Sequence, residues 1–312
     1  MEQFNGHPLY RKHDLDSAMS SLWSFYIKNF AVLFLVSLAA SLLIQFITST
    51  LDMSKLTSLT DPYEMLAELK NWIFPMLGVI AISLIMILIL QYYIIFKPVR
   101  SDLNLFTAFY KSMKHLLPYL LLMILFLVFA TVAMVAGILV FVIGMFFAAL
   151  YVYMIGLFLL PVLMVEGNDP GKAIARTFTL SHRHFGPNLG YTAIILLIIL
   201  VGSIILSSLI LIPFSGSFFK IISDPAEASG ALNYLSNPWF IILSALANAI
   251  FTPLTPILAA ILYFNARARE EEADLSRVSP EADEGKVRVE DLYARPYSED
   301  HPDNPDRENP AN

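Results

Sequence analysis

An uninterrupted apolar run occupies the middle of the chain. The fifty residues 116–165 contain no Asp, Glu, Lys, Arg or His. As a single helix the run would be about 75 Å long, whereas the hydrocarbon core of a bilayer is about 30 Å thick. Gly137 and Gly144 lie near its middle, where glycines permit a tight, uncharged return. The pattern therefore predicts an integral membrane protein in which this run crosses the membrane twice.

Apolar stretches about half as long as this run recur along the rest of the chain up to residue 264. Their lengths and the short segments between them predict an all-α, polytopic membrane helical bundle of six spans in three hairpins. The predicted spans are residues 27–49, 72–96, 116–138, 142–165, 188–213 and 239–264.

A short amphipathic stretch precedes each odd-numbered span. The three stretches are residues 14–28, 101–115 and 169–185. In the third, Asp169 is the expected N-cap and Pro170 the first helical residue. Helices of this kind lie in the headgroup plane with a basic side toward anionic lipid, which predicts cytoplasmic interfacial helices. The alternative is that they only connect one span to the next.

Composition agrees with the pattern and adds a division of the chain by charge. Hydrophobic residues make up 57% of the sequence and charged residues 15%. The formal net charge is -6, but residues 270–312 hold fourteen acids and five bases. We therefore expect an N-terminal cytoplasmic segment (1–13), a mildly basic membrane domain (14–269) and an acidic tail (270–312) too polar to order itself.

The distribution of Lys and Arg predicts the orientation. One side of the predicted topology holds eleven of them and the other side only Lys55, Lys70 and Lys220. Basic residues accumulate on the cytoplasmic side of multi-pass proteins. We therefore expect both termini in the cytoplasm. The eleven are Arg11, Lys12, Lys97, Arg100, Lys111, Lys114, Lys172, Arg176, Arg183, Arg267 and Arg269.

Signatures of catalysis are missing from the sequence. The chain has no Cys, and it contains no GxSxG, GxxxxGK[ST], HExxH or GxGxxG motif. No ionisable residue lies deep in a predicted span, where transport pathways and proton relays usually carry one. We therefore expect that the protein is not an enzyme and that it binds neither a cofactor nor a metal ion.

Two sets of residues stand out as candidates for chemistry. At the end of the fourth span, Glu166, Asp169, Arg176 and Arg183 form a candidate cytoplasmic-face cluster. Its Glu166 is either a coupling carboxylate at a cavity mouth or, as we favour, an ion-pair partner of Arg176 or Lys172.

The second set lies in the sixth span. It comprises Asn248, Thr252, Pro253, Thr255 and Pro256. The prolines free backbone carbonyls that could line a solute site, but prolines in spans more often only kink the helix.

Basic residues near the ends of the spans are the candidates for lipid headgroups. They are Lys111, Lys114, Lys172, Arg267 and Arg269. We expect membrane lipids, including anionic ones, and unidentified membrane proteins as partners, and no nucleic acid.

Two loose motifs resemble a known family. The first places Pro161, Glu166, Pro170, Ala173 and Arg176 after the fourth span, and the second is the ending Leu262, Tyr263, Phe264, Arg267 and Arg269. Together they resemble the membrane part of the bacterial glycerophosphoryl diester phosphodiesterase membrane-domain family. The resemblance implies about six spans in the bacterial inner membrane. It does not imply phosphodiesterase activity, because the chain has no segment matching the soluble catalytic domain that some members carry.

The sequence thus favours a non-enzymatic, multi-pass module of the cell inner membrane that organises a membrane complex or binds lipid. The alternative is a transporter or channel for a lipid or small neutral solute that uses the Pro-kinked sixth span.

Overall fold

The computed structural model describes residues 4, 6–51, 61–216 and 232–278, and the described part is helical without strands. The helices, in chain order, are α1 (Leu15–Lys28), α2 (Phe30–Ser49), α3 (Pro62–Phe96), α4 (Leu105–Met113), α5 (Leu116–Ile138), α6 (Phe141–Glu166), α7 (Pro170–Arg183), α8 (Phe185–Leu211), α9 (Pro238–Phe251) and α10 (Leu254–Val278). Short 3-10 turns occupy Ile212–Phe214 and Leu232–Ser236.

Six segments are long and apolar enough to cross a membrane: Phe30–Ser49, Pro62–Phe96, Leu116–Ile138, Phe141–Glu166, Phe185–Phe214 and Pro238–Ala273. The predicted all-α bundle of six spans is therefore confirmed. The second span begins earlier than the expected residue 72, because Asp61 caps the helix, Pro62 occupies its first turn and good helix formers such as Glu68 follow.

The three amphipathic stretches all form helices, and a side chain caps each one. Asp14 and Ser17 form a capping box at α1, Asn104 accepts from Thr107 N at 2.8 Å at α4, and Asp169 accepts from Gly171 N at 3.0 Å at α7. We call α1, α4 and α7 the elbows. Each leads directly into an odd-numbered span, so they lie at one end of the bundle, the elbow end.

The long apolar run turns between α5 and α6, as its glycines predicted. A Cβ atom on Gly137 would lie 2.7 Å from Ala148 Cβ and 2.8 Å from Gly144 O. The two helices therefore approach too closely at this point for any side chain on Gly137. Phe141, the first residue of α6, has a φ of 63°, in the left-handed region that only tight turns impose on such a residue.

The buried core is concentrated at the elbow end. Fully buried side chains include Ile94 and Ile95 of α3, Phe158 of α6 and Phe264 of α10. At the far end of the middle hairpin, by contrast, Phe141 is 84% exposed. The elbow halves of the spans thus pack on protein, while the other halves offer apolar side chains to their surroundings.

The segment before α1 belongs to this core. Phe4 packs its ring on Phe96 and Phe264, and buried His7 donates from Nε2 to Ile94 O at 3.1 Å. Leu9 N donates to His7 Nδ1, so the ring is the neutral Nε2–H tautomer. Burial lowers the pKa of His7 to about 4, which agrees with a neutral ring. The described residues of the predicted N-terminal segment, 4 and 6–13, therefore pack against the bundle.

Two compact units divide the chain, Met1–Arg269 and Glu270–Asn312. The sequence predicted disorder from residue 270, but α10 continues to Val278. Residues 270–278 are rich in Glu, Ala and Leu, strong helix formers that extend a helix already nucleated by its buried part. The remainder of the acidic tail, 279–312, lies outside the described residues.

Candidate functional site

Glu166 is the centre of a polar cluster at the elbow end. Its Oε2 accepts from Arg176 Nε at 2.8 Å, and its Oε1 accepts from Tyr263 Oη at 3.0 Å. Arg267 Nε lies 3.7 Å from the same Oε1. The Glu166, Arg176 and Arg267 side chains are only 22%, 24% and 15% exposed. One carboxylate thus faces two guanidinium groups in a partly desolvated setting.

Three helices bring these groups together. Glu166 is the last residue of α6, Arg176 lies in the middle of α7, and Tyr263 and Arg267 lie one turn apart on α10. The chain can fold back from α6 to α7 because Gly167 has a φ of 124°, which residues with a side chain rarely adopt. Both motifs of the family resemblance therefore converge on one carboxylate.

Of the other two members of the predicted cluster, Asp169 lines the same cavity as Glu166 and Arg176, and Arg183 lies farther along α7. Asp169 caps α7 and pairs with Lys172 at 3.8 Å, where both side chains are mostly exposed. Arg183 is near the opposite end of α7, seven residues and about 10 Å along the helix from Arg176. The structure thus brings Glu166 and Arg176 together, while Asp169 and Arg183 are neighbours of the cluster along the helix.

The chemistry available to the Glu166 cluster is charge pairing. A tyrosine hydroxyl and one arginine donate hydrogen bonds to the carboxylate, and a second arginine forms an ion pair with it. These contacts tie α6, α7 and α10 together. Within the described residues, no group of three His, Asp or Glu side chains is placed to bind a metal ion.

The sixth span is broken between α9 and α10, at the predicted prolines. Pro253 and Pro256 are buried, and Asn248 is exposed. The backbone near the break is hydrogen-bonded: Tyr26 Oη donates to Ile250 O at 2.9 Å, and Thr252 Oγ1 donates to Asn248 O at 2.7 Å. The Tyr26 hydroxyl thus occupies one carbonyl at the break, and the Thr252 hydroxyl bonds back to its own helix.

One polar contact adjoins this break inside the bundle. Thr255 Oγ1 lies 3.2 Å from Tyr153 Oη of α6. The five candidates of the sixth span therefore do not form one cluster, because Asn248 faces outward while Thr255 pairs with another span.

The predicted headgroup residues fall into two groups. Arg267 pairs with Glu166, and Arg269 donates from Nη2 to His13 O at 2.7 Å and from Nε to Asn265 Oδ1. These two arginines serve the internal structure of the elbow end. Lys114, beside α4, and Lys172, on α7, are exposed, and Lys111 on α4 is half-buried; none of the three has a role in the Glu166 cluster.

An apolar groove lies where α4 crosses the α2–α3 hairpin. Its volume is ≈ 500 Å³, and every lining residue is apolar. The lining residues are Val36, Ala39, Ala40 and Leu43 of α2, Ile82, Ile85, Met86 and Ile89 of α3, and Leu105, Phe106 and Phe109 of α4. The groove begins about 9 Å along α2 from Phe30 and reaches to about 20 Å, which lies within the acyl-chain region of a bilayer core about 30 Å thick.

Sequence reasoning did not find this groove. The small residues Ala39 and Ala40 make the hollow, and large residues on α3 and α4 form its walls. The available signal was the adjacent pair of alanines in an otherwise bulky span, together with the apolar face of α4 that carries Phe106 and Phe109. Neither signal shows that α4 packs beside α2 and α3, and the groove exists only because these three helices are neighbours.

Comparison of the chain with family models, with curated proteins and with solved structures found no match.

Proposed function

We propose that this protein is a non-enzymatic module of the bacterial cytoplasmic membrane that binds phospholipid in the cytoplasmic leaflet. The observation that carries the proposal is the apolar groove between α2, α3 and α4. Its depth along the spans is that of acyl chains, and one wall is an amphipathic helix of the kind that lies in the headgroup plane. An acyl chain is the occupant that a membrane supplies at this depth.

The orientation is part of the proposal. The elbow end carries eleven Lys and Arg residues and the opposite end of the predicted topology three, which supports a cytoplasmic elbow end and cytoplasmic termini. We also propose kinship with the membrane part of the glycerophosphoryl diester phosphodiesterase membrane-domain family. The convergence of both motifs on Glu166 supports it by giving those residues a shared structural role.

Transport of a lipid or small neutral solute is the alternative proposal. The polar contact between Tyr153 and Thr255 beside the broken sixth span favours it. Lipid binding has the stronger support, because Tyr26 already occupies the Ile250 carbonyl and Asn248 lies on the exposed side of α9.

The experiment is native mass spectrometry of the full chain after gentle detergent extraction. We expect phospholipid to remain bound to the wild type and to be lost from Ala39→Phe, because the new ring fills the groove from an exposed position. Ala136→Phe is the matched control, since Ala136 is exposed on α5 away from the groove. A lipid-free wild-type monomer that moves a solute in liposomes contradicts lipid binding and favours transport.

A further inference from the structure

A second cavity, also at the elbow end, is polar and basic. Its volume is ≈ 510 Å³, and it lies between α1, the N-terminal segment and the end of α3. Among the residues that the structure describes, its charged lining residues are Arg11, Lys28 and Lys97, with no Asp or Glu. We call it the basic pocket. None of its three cations belonged to the predicted set of headgroup residues.

The fold of α1 explains why the polar side chains collect here. Ser20, Ser21, Ser24 and Lys28 follow one another at helical spacing and line the pocket. The opposite side of α1 buries Leu22 and Tyr26 in the core. The polar face of this elbow is therefore turned toward the N-terminal segment and Lys97 rather than away from the bundle.

Some donors of the pocket hold the structure together. Arg11 Nη2 donates to Ser21 Oγ at 2.7 Å, and Lys97 Nζ donates to Ser101 O at 3.0 Å and Leu103 O at 2.8 Å. These bonds fix the positions of two cations. They use only one of the five N–H donors of Arg11.

Other donors have no protein partner. Within the described part of the chain, the Lys28 ammonium and the hydroxyls of Ser20 and Ser24 make no hydrogen bond to protein, and none of the three cations forms an ion pair. Three like charges without a counter-charge repel one another. An anion with several acceptor oxygens would remove that repulsion and use the remaining donors at once.

The position of the basic pocket favours an anion carried by a lipid. Its lining residues Asn29 and Lys97 lie just before the start of α2 and just after the end of α3. The apolar groove begins at Val36 and Ile89 on the same two helices, seven and eight residues away, which is about 10–12 Å deeper in the span. A phosphate level followed by an acyl level is the order of groups in a phospholipid.

We propose that the basic pocket binds the phosphate of a membrane phospholipid through Arg11, Lys28 and Lys97 and the hydroxyls of Ser20 and Ser24. This inference rests on the proposed lipid-binding function and names the headgroup chemistry it selects. It assigns to α1 the role of a headgroup clamp, in addition to its role as a connection into the first span.

The test compares two lipids with identical chains, dioleoylphosphatidylglycerol and dioleoylglycerol, by native mass spectrometry of the full chain in detergent. The second lipid lacks the phosphate. We expect the wild type to bind the phosphate lipid about tenfold more tightly, because charge-assisted hydrogen bonds of this kind contribute at least that factor. Equal binding of the two lipids overturns the proposal.

Variants localise the effect. We expect Lys28→Gln to weaken phosphatidylglycerol binding several-fold. The double variant that combines Lys28→Gln and Arg11→Gln should weaken it about tenfold. Lys111→Gln is the matched control, because it removes the same charge from another elbow. Lys28→Gln alone keeps the test valid if loss of the Arg11–Ser21 bond unfolds the double variant. If Lys28→Gln and Lys111→Gln weaken phosphatidylglycerol binding equally, the assignment of the phosphate to the basic pocket is overturned, while the lipid-binding function stands.

Two further outcomes separate the sources of phosphate and the two proposals. If inorganic phosphate displaces phosphatidylglycerol as effectively as phosphatidylglycerol itself does, the ligand is a free anion and the lipid assignment is overturned. If the wild type binds neither lipid, the lipid-binding function itself fails. We expect added phosphatidylglycerol to exchange with the bound phosphatidylglycerol, and we expect the bound lipid to stay in place when inorganic phosphate is added.

Discussion

At the scale of single residues, the Glu166 carboxylate joins three helices, α6, α7 and α10. Arg176 and Tyr263 donate hydrogen bonds to it, and Arg267 forms an ion pair with it. A partly buried ion pair of this kind contributes little compared with an apolar replacement of the whole set. Removing one partner is costly, however, because the groups that remain lose a hydrogen bond or an opposite charge in a partly buried setting.

We predict that Glu166→Gln lowers the free energy of unfolding by about 1–2 kcal/mol, because two partly buried guanidinium groups lose their counter-charge. The measurement is thermal unfolding of the purified protein in detergent. Glu64→Gln is the matched control, since Glu64 is exposed near the start of α3. Equal effects of the two substitutions would contradict a special role for Glu166.

A double-mutant cycle tests the pairing itself. The stability losses of Glu166→Gln and Arg176→Gln should not add, with a coupling of about 1 kcal/mol, because each removes the same contact. Additive losses would mean that the two side chains stabilise the protein independently.

At the scale of elements, the middle hairpin depends on the close approach of α5 and α6. The turn between them contains no charge and only one residue, Phe141, with a left-handed backbone. Helices in a membrane gain little from hydrophobic association, since lipid is equally apolar. Close contact at small residues therefore provides much of the packing energy.

We predict that Gly137→Ala destabilises the protein by about 1–3 kcal/mol, because its Cβ would overlap Ala148 and the Gly144 carbonyl. Gly190→Ala is the matched control: Gly190 is also helical, and a Cβ there meets nothing within 4 Å. That control should be neutral or stabilising by up to about 1 kcal/mol. Thermal unfolding in one detergent compares the two. A larger loss for Gly190→Ala would contradict the proposed contact.

At the scale of the whole molecule, the asymmetry between the two ends matters most. The elbow end contains the dense core, the Glu166 cluster, the apolar groove and the basic pocket. The other end exposes apolar side chains such as Phe141. A protein built this way concentrates its specific contacts in one leaflet, which agrees with the proposed binding of lipid there.

The orientation can be tested directly because the chain contains no Cys. We predict that a membrane-impermeant maleimide added to intact cells labels Lys70→Cys and not Lys114→Cys. Both positions are exposed, and they lie at opposite ends of the bundle. Permeabilised cells, in which both variants should react, are the control. Labelling of Lys114→Cys alone in intact cells would reverse the topology.

The sequence by itself determined the class of protein and the positions of its spans. Length and apolarity decide whether a helix crosses a bilayer, and both are local properties of the chain; the run 116–165 and its glycine turn show this most clearly. The same holds for the elbows, since caps such as Asp14 and Asp169 act within one helical turn.

Only the tertiary structure decided which side chains meet. That Tyr263 and Arg267 share Glu166 with Arg176, that Phe4 and His7 enter the core, and that Ala39 lies under α4 all depend on contacts between residues far apart in the chain. Hydrophobic periodicity specifies which face of a helix is apolar but not which neighbour covers it. The apolar groove and the basic pocket belong to this second kind of information.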